Sequence, residues 1–121
     1  MFDKLKAMTA MAGLLKNQDQ IKAAMERVAE RLAQARVVGE SGGGAVRVTM
    51  SGKLEVIDVA LAPALAAGLG DESSRQRAEF MIAEAMTMAQ SRAKQLARDI
   101  INREAGTMGL PELPADLGGV L

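Results

Sequence analysis

The sequence predicts an α+β fold: a long N-terminal helix, a three-stranded antiparallel meander and a long C-terminal helix. Three observations predict it. Apolar residues recur with a heptad period over the first 35 positions, alternate with polar residues after position 45, and recur at helical spacing from position 78 to position 100. With 121 residues, the chain is expected to form one domain.

The N-terminal helix is predicted from about Ala7 to Ala35. Two lines of mostly apolar residues form its seam: Ala7, Leu14, Ile21, Val28 and Ala35, and Met11, Gln18, Met25 and Leu32. Such a seam needs a partner, which is either the second helix of the same chain or another copy of the chain. The apolar run 7–15 is too short to span a membrane and lacks a signal cleavage site, so we expect a cytoplasmic protein.

The middle of the chain reads as strands. Val37 and Val38 precede a glycine cluster, and residues 45–51 alternate between apolar and polar. A third strand is predicted over 54–61, with Ile57, Val59 and Leu61 on one face and a bulge or change of face before them. Short turns between the strands predict antiparallel pairing.

The second helix is predicted from about Ser74 to Ala105, with N-cap candidates at 71–74. Its apolar line consists of Ala78, Ile82, Ala85, Ala89, Ala93, Leu96 and Ile100. A line this rich in alanine allows close approach of another backbone, either the sheet or a second copy of the helix. The domain is therefore predicted over 1–105, and the Gly- and Pro-containing tail 106–121 is expected to be partly disordered.

Composition excludes most catalytic chemistry. The chain contains no Cys and no His, so it lacks disulfides, thiolate ligands and the commonest general base and metal ligand. We expect no enzymatic activity, no cofactor, no metal site, no membrane association and no small-molecule substrate.

The glycine cluster in VVGESGGGAVRVTMSG raises the possibility of a phosphate-binding loop. A Walker A loop needs Lys and Ser or Thr after its last glycine, at the start of a helix. Here Gly44 is followed by Ala45 and Val46, which begin a strand. The glycines are therefore predicted to turn a hairpin.

Charge is balanced overall but unevenly distributed. Residues 1–36 carry seven Lys and Arg against four Asp and Glu, and residues 74–104 carry six against four. The basic residues on the two predicted helices are candidates for phosphate contact: Lys16, Lys22, Arg27, Arg31, Arg92, Lys94 and Arg98. The alternative is an ordinary solvated helix surface.

The central segment resembles the signature of the YbaB/EbfC family of bacterial nucleoid-associated proteins, G-x-x-G-x-G-x-V-x-V-x-x-x-G. The matching residues are Gly39, Gly42, Gly44, Val46, Val48 and Gly52. Met1-Phe2, the strand end Val59-x-Leu61-x-Pro63, the helix segment 79–89 and Gly109-Leu110-Pro111 also match, so the resemblance covers nearly the whole chain. Ala62 and the pair Thr87-Met88 depart from the family pattern, which usually has Asp and Asn-Asp there.

The resemblance implies an intertwined homodimer whose projecting helices hold duplex DNA, with a role in the bacterial nucleoid. On this interpretation, the basic residues above contact the DNA backbone with little sequence preference. The alternative is a protein-binding or scaffold dimer of the same fold with little DNA affinity. The neutral charge, the Met-rich second helix and the missing Asn-Asp pair favour that alternative.

Overall fold

A computed structural model describes residues 4–8 and 17–109. The elements in chain order are helix α1 (Gln18–Gln34), strands β1 (Arg36–Ser41), β2 (Val46–Ser51) and β3 (Val56–Leu61), the short helix α2 (Pro63–Ala67) and helix α3 (Glu72–Thr107). The strands lie side by side in chain order, and both pairs are antiparallel. The predicted α+β class, the meander and the long C-terminal helix are therefore confirmed.

The long N-terminal helix predicted from about Ala7 is not confirmed, because α1 has 17 residues and begins at Gln18. Its end is close to the predicted one: Ala35 is extended with ψ 146°, since β1 begins at the very next residue. Residues 4–8 are also helical. The predicted seam positions Met11 and Leu14 lie outside the described residues.

The glycine cluster forms the β1–β2 turn, as predicted. Gly42, Gly43 and Gly44 have φ of 62°, 67° and 93°, a region that side chains with a Cβ rarely occupy. The turn brings Ser41 opposite Val46, which is the pair at the end of the β1–β2 ladder. The cluster therefore reverses the chain and does not open a helix.

Helix α3 lies across β1 and β2, and this contact forms the core. Val46, Val48 and Met50 of β2 meet Ala85, Ala89 and Ala93 of α3, and all six are buried. Alanine allows the helix to come close to the sheet. The predicted stripe of small residues therefore faces the sheet of its own chain.

Gly39 marks the closest approach of α3 to β1. A Cβ at this position would lie 2.0 Å from the carbonyl oxygen of Ala85 and 2.5 Å from the amide nitrogen of Ala89. This glycine differs from those of the turn, because its role is to admit a helix backbone.

β3 departs from the predicted face pattern. Thr49 pairs with Asp58 but Met50 pairs with Val56, so Ile57 is an extra residue at a bulge. The expected bulge is confirmed, but it places Val56, and not Ile57, in register with the buried strand β2. The predicted face is only partly covered. Leu61 packs half-buried against the core, but Val59 is 44% exposed, because α3 covers β1 and β2 and makes no comparable contact with β3.

Helix α3 begins two residues earlier than predicted, at Glu72. Asp71 is its N-cap, and its carboxylate accepts a hydrogen bond of 3.1 Å from the amide of Ser74. The helix continues to Thr107, two residues beyond its predicted end. The predicted tail lies outside the described residues from position 110 onward, and its boundary stays a prediction.

Candidate nucleic-acid interface

The structure describes six of the seven predicted phosphate contacts, since Lys16 lies outside the described residues. Lys22, Arg27 and Arg31 lie on α1, and Arg92, Lys94 and Arg98 lie on α3. These side chains do not gather into one basic patch on a single copy of the chain. Their partners differ: Arg27 and Arg31 bind a carboxylate, Arg92 binds a backbone carbonyl, and Arg98 binds a side-chain amide.

Arg27 and Arg31 are brought together on Glu104 of α3. Arg27 Nε donates to Glu104 Oε1 at 2.9 Å, and a terminal nitrogen of the same guanidinium also donates to that oxygen. Arg31 Nη1 donates to Oε2 at 3.4 Å. Because one carboxylate faces two guanidiniums, the cluster keeps an excess positive charge, and each arginine side chain is about half exposed.

Arg92 is used at the sheet edge. Its Nη1 donates a hydrogen bond to the carbonyl oxygen of Val38 in β1. This bond fastens α3 to the edge strand and occupies one of the five donors of the guanidinium. Arg92 therefore has a structural contact as well as exposed surface.

Lys94 and Arg98 lie on the opposite flank of α3 from Arg92. Positions two apart on an α-helix differ by about 200° around the axis, whereas positions four apart lie on one side. Arg98 donates to Gln95 Oε1 at 3.0 Å, and its Nε is buried without a hydrogen-bond partner among the described residues. The α3 cations are therefore divided between two surfaces.

Lys22 is exposed on another side of α1 from Arg27. Five positions along a helix correspond to a turn of about 140° beyond a full revolution. The side chain of Lys22 has no hydrogen bond or ion pair with any other described residue. It is the most readily available of the predicted contacts on α1.

Sequence reasoning missed Lys53. This residue lies in the β2–β3 turn and lines a notch of about 240 Å³ together with Lys94. The sequence feature that could have indicated it is the position of this lysine directly after Ser51-Gly52, because a tight turn fixes the direction in which the next side chain points. Only the packing of that turn against α1 and α3 brings the two lysines together.

Two apolar grooves accompany the basic residues. One, of about 430 Å³, lies between α1 and the end of α3, and Ile21, Met25, Val28, Ile101 and Met108 are among its lining residues. The other, of about 580 Å³, follows the outer flank of α3 and includes Phe80, Thr87, Met88 and Arg92. Only part of the predicted seam of α1 is therefore covered by its own chain: Met25 is 67% exposed.

None of the helices in the described part of the chain is long and apolar enough to cross a membrane. The pKa of Asp71 is lowered by hydrogen bonds from the Ser73 hydroxyl and the Ser74 amide.

Known proteins resemble this chain in sequence and in fold. A nucleoid-associated protein of Pseudomonas fluorescens (strain Pf0-1) is 34% identical over 101 residues, covering 84% of this chain and 89% of the relative. The crystal structure of an uncharacterised Helicobacter pylori protein superposes with a TM-score of 0.57 at 21% identity, covering 74% of this chain and 87% of that one; this likeness concerns the fold alone. The model of the YbaB/EbfC DNA-binding family matches residues 8–108. The chain belongs to the YbaB/EbfC DNA-binding family.

Proposed function

We propose that this protein is a non-catalytic, homodimeric DNA-binding protein of the bacterial nucleoid. The observation that carries the proposal is the family match across residues 8–108, supported by a relative described as nucleoid-associated. The protein contacts the phosphate backbone of duplex DNA and shows little sequence preference. It is located with the nucleoid in the cytoplasm.

The homodimer is supported by the apolar surface of β3. Val48 of β2 pairs with Val59, so the buried face of the sheet continues onto β3. α3 does not cover this extension, and Val56 and Val59 are 45% and 44% exposed. A second copy of the chain buries these residues and places two sets of helices beside one duplex.

The proposed phosphate contacts are the lysines and arginines of the two helices. Lys22 and Lys94 have side chains without a partner among the described residues, and Arg27 and Arg31 share one carboxylate. Arg92, Arg98 and Lys16 complete the proposed set. Because these cations lie on several surfaces of one copy, a dimer is needed to present enough of them along one duplex.

Measuring DNA affinity as a function of salt tests the proposal. Log affinity should fall linearly with log salt, with a slope of about −0.9 for each phosphate neutralised. Six contacts predict a loss of about 10³-fold between 50 and 200 mM salt. Duplexes of equal length and unrelated sequence should give similar affinities. Absence of binding at 50 mM salt and micromolar protein would overturn the proposal.

A second candidate function is a protein-binding or scaffold dimer, and one observation favours it. The groove on the outer flank of α3 exposes Phe80 by 66% and Met88 by 39%, and Thr87-Met88 replaces the polar pair usual in the family. Apolar, Met-containing surfaces suit protein partners. Capture of one defined partner after nuclease treatment, lost in Phe80→Glu, together with absent DNA binding, would establish this function in place of the first.

A further inference from the structure

Three elements meet at a notch, and only one of the predicted phosphate contacts, Lys94, lines it. Leu32 comes from α1, Gly52, Lys53 and Leu54 come from the β2–β3 turn, and Lys94 and Ala97 come from α3. The notch measures about 240 Å³, and no acidic residue lines it among residues 4–8 and 17–109. Within that part of the chain, the two lysines are the only charged residues of its wall.

The β2–β3 turn is fixed against α1. The amide of Gly52 donates a hydrogen bond of 2.9 Å to the carbonyl oxygen of Leu32. A Cβ at position 52 would lie 2.8 Å from that same oxygen, so the approach requires glycine. The turn therefore cannot move away from α1 without breaking this contact.

A buried serine holds the turn from the other side. Ser51 is 2% exposed, and its hydroxyl accepts hydrogen bonds from the amides of Lys53 at 3.2 Å and Glu55 at 3.3 Å. Lys53 is thus presented from a backbone that is bonded on both sides. Fixing the backbone beforehand lowers the entropy lost when a ligand orders the lysine side chain.

Leu54 is the one non-glycine residue with positive φ in the described part of the chain, at 65°. This conformation costs a residue with a Cβ about 1 kcal/mol or more. Backbone strain of this kind is concentrated at ligand-binding and other functional sites. Here it lies directly after the lysine that enters the notch.

Neither lysine of the notch is paired within the described part of the chain. The side chains of Lys53 and Lys94 make no hydrogen bond or ion pair with the other described residues. An anion placed between Lys53 and Lys94 would offset the repulsion between the two ammonium groups.

We propose that Lys53 and Lys94 form a phosphate-binding notch that receives a backbone phosphate of duplex DNA, with Lys53 supplied by the β2–β3 turn. This inference rests on the DNA-binding function proposed above. Lys53 adds a phosphate contact from the β2–β3 turn to the proposed phosphate contacts on the helices. A phosphodiester suits the notch because it carries one negative charge and several acceptor oxygens, which the ammonium groups of Lys53 and Lys94 can bind.

The test compares charge-removing variants across a salt titration with one duplex. Lys53→Gln should weaken binding and reduce the magnitude of the salt slope by about 1, and Lys53→Gln/Lys94→Gln by about 2. Thermal stability should stay unchanged in Lys53→Gln, because its side chain makes no bond to the described protein. Amide NMR signals of residues 52–54 should shift when the duplex is added.

Arg75→Gln is the matched control. It removes the same charge from α3, but Arg75 is paired with Glu79 at 3.7 Å and lies 19 residues before Lys94, about 28 Å along the helix. Its salt slope should equal that of the native chain. If the native chain binds DNA but Lys53→Gln keeps the native slope and affinity, the notch is wrong while the proposed function stands. If the native chain does not bind, the proposed function is wrong and the notch fails with it.

Discussion

Arg27 on α1 and Glu104 near the end of α3 form a two-bond ion pair across 77 positions of the chain. The Glu104 side chain is 7% exposed, whereas that of Arg27 is 52% exposed. The carboxylate therefore lies beneath a guanidinium that keeps part of its surface in water. This contact fastens α1 to α3 and at the same time positions two of the proposed phosphate contacts, since Arg31 binds the other carboxylate oxygen.

Glu104→Gln should destabilise the protein and strengthen its DNA binding. The substitution removes the negative charge that two guanidiniums share and should lower the free energy of unfolding by about 1–3 kcal/mol. The loss stays in this range because the two arginines are partly exposed, so water can replace part of the lost interaction. With one anion fewer beside Arg27 and Arg31, affinity for duplex DNA should rise. Urea unfolding and a DNA titration at one salt concentration measure the two effects.

Glu79→Gln is the control for this substitution. Its carboxylate is exposed and pairs with Arg75 at 3.7 Å within one helix, a contact worth about 0.5 kcal/mol or less. Equal unfolding midpoints for the Glu104 and Glu79 variants would contradict the role assigned to the buried ion pair.

Gly39→Ala should prevent α3 from packing on β1. The added methyl group would meet the backbone of Ala85 and Ala89, which cannot move aside as a side chain can. We expect a loss of about 3 kcal/mol or more in the free energy of unfolding. Gly106→Ala provides the contrast: it lies in α3 with open space around its Cβ position and should stabilise by about 0.5–1 kcal/mol. Similar denaturation curves for both variants would refute the close approach at Gly39.

Asp71→Ala should lower the melting temperature, and the effect should depend on pH. The pKa of Asp71 in the folded chain lies below its ordinary value of 3.8, chiefly because the Ser73 hydroxyl donates to the carboxylate and the Ser74 amide does so as well. A depressed pKa means that the stabilisation is fully present above pH 3.8 and is lost as the pH falls through the lower folded value. The difference between variant and native melting temperatures should therefore shrink in acid.

Asp71→Ser separates the cap from its charge. Serine accepts the same amide hydrogen bond but does not titrate, so its melting-temperature difference from Asp71→Ala should be independent of pH. A native–alanine difference that stays constant down to pH 2 would show that the carboxylate charge does not contribute to the cap.

Val59→Asp should convert the proposed dimer into a monomer. Val59 is already half exposed in one copy of the chain, so the substitution should leave the single subunit folded while placing a charge in the apolar surface of β3. Light scattering after size exclusion measures the mass. Ala60→Asp is the control, because Ala60 pairs with Arg47 on the other face of the sheet. A dimer that persists in Val59→Asp would place the interface elsewhere.

Several features of the fold follow from local sequence alone. The alternation of Val46, Val48 and Met50 and the alanine line of α3 are each encoded by residues at a definite period. The positive φ of Gly42 to Gly44 follows from the residue type, because glycine has no Cβ. Element ends were less predictable, since α3 begins at Glu72 and not at about Ser74. The N-cap, Asp71, is one of the candidates at 71–74, but several of these residues satisfy the N-cap preference, and only the path of the preceding loop decides among them.

The candidate site was less accessible to sequence reasoning. A lysine or arginine on a helix is recognisable, but its partner is not. Nothing near Arg27 in the sequence indicates that it pairs with Glu104, and nothing near Lys94 indicates that it lines the same notch as Lys53, because each pair joins elements far apart in the chain.

The sequence by itself determined the order of elements, the family signature and the face of α3 that packs on the sheet, because these depend on spacing between neighbours and on where glycine and alanine occur. Only the tertiary structure decided that Gly39 admits a helix backbone while Gly42 to Gly44 turn the chain. It also decided which cations are bound by their own chain and which stay available. The physical reason is that charge pairing and burial depend on distances between elements, and those distances exist only after α1, the sheet and α3 have packed together.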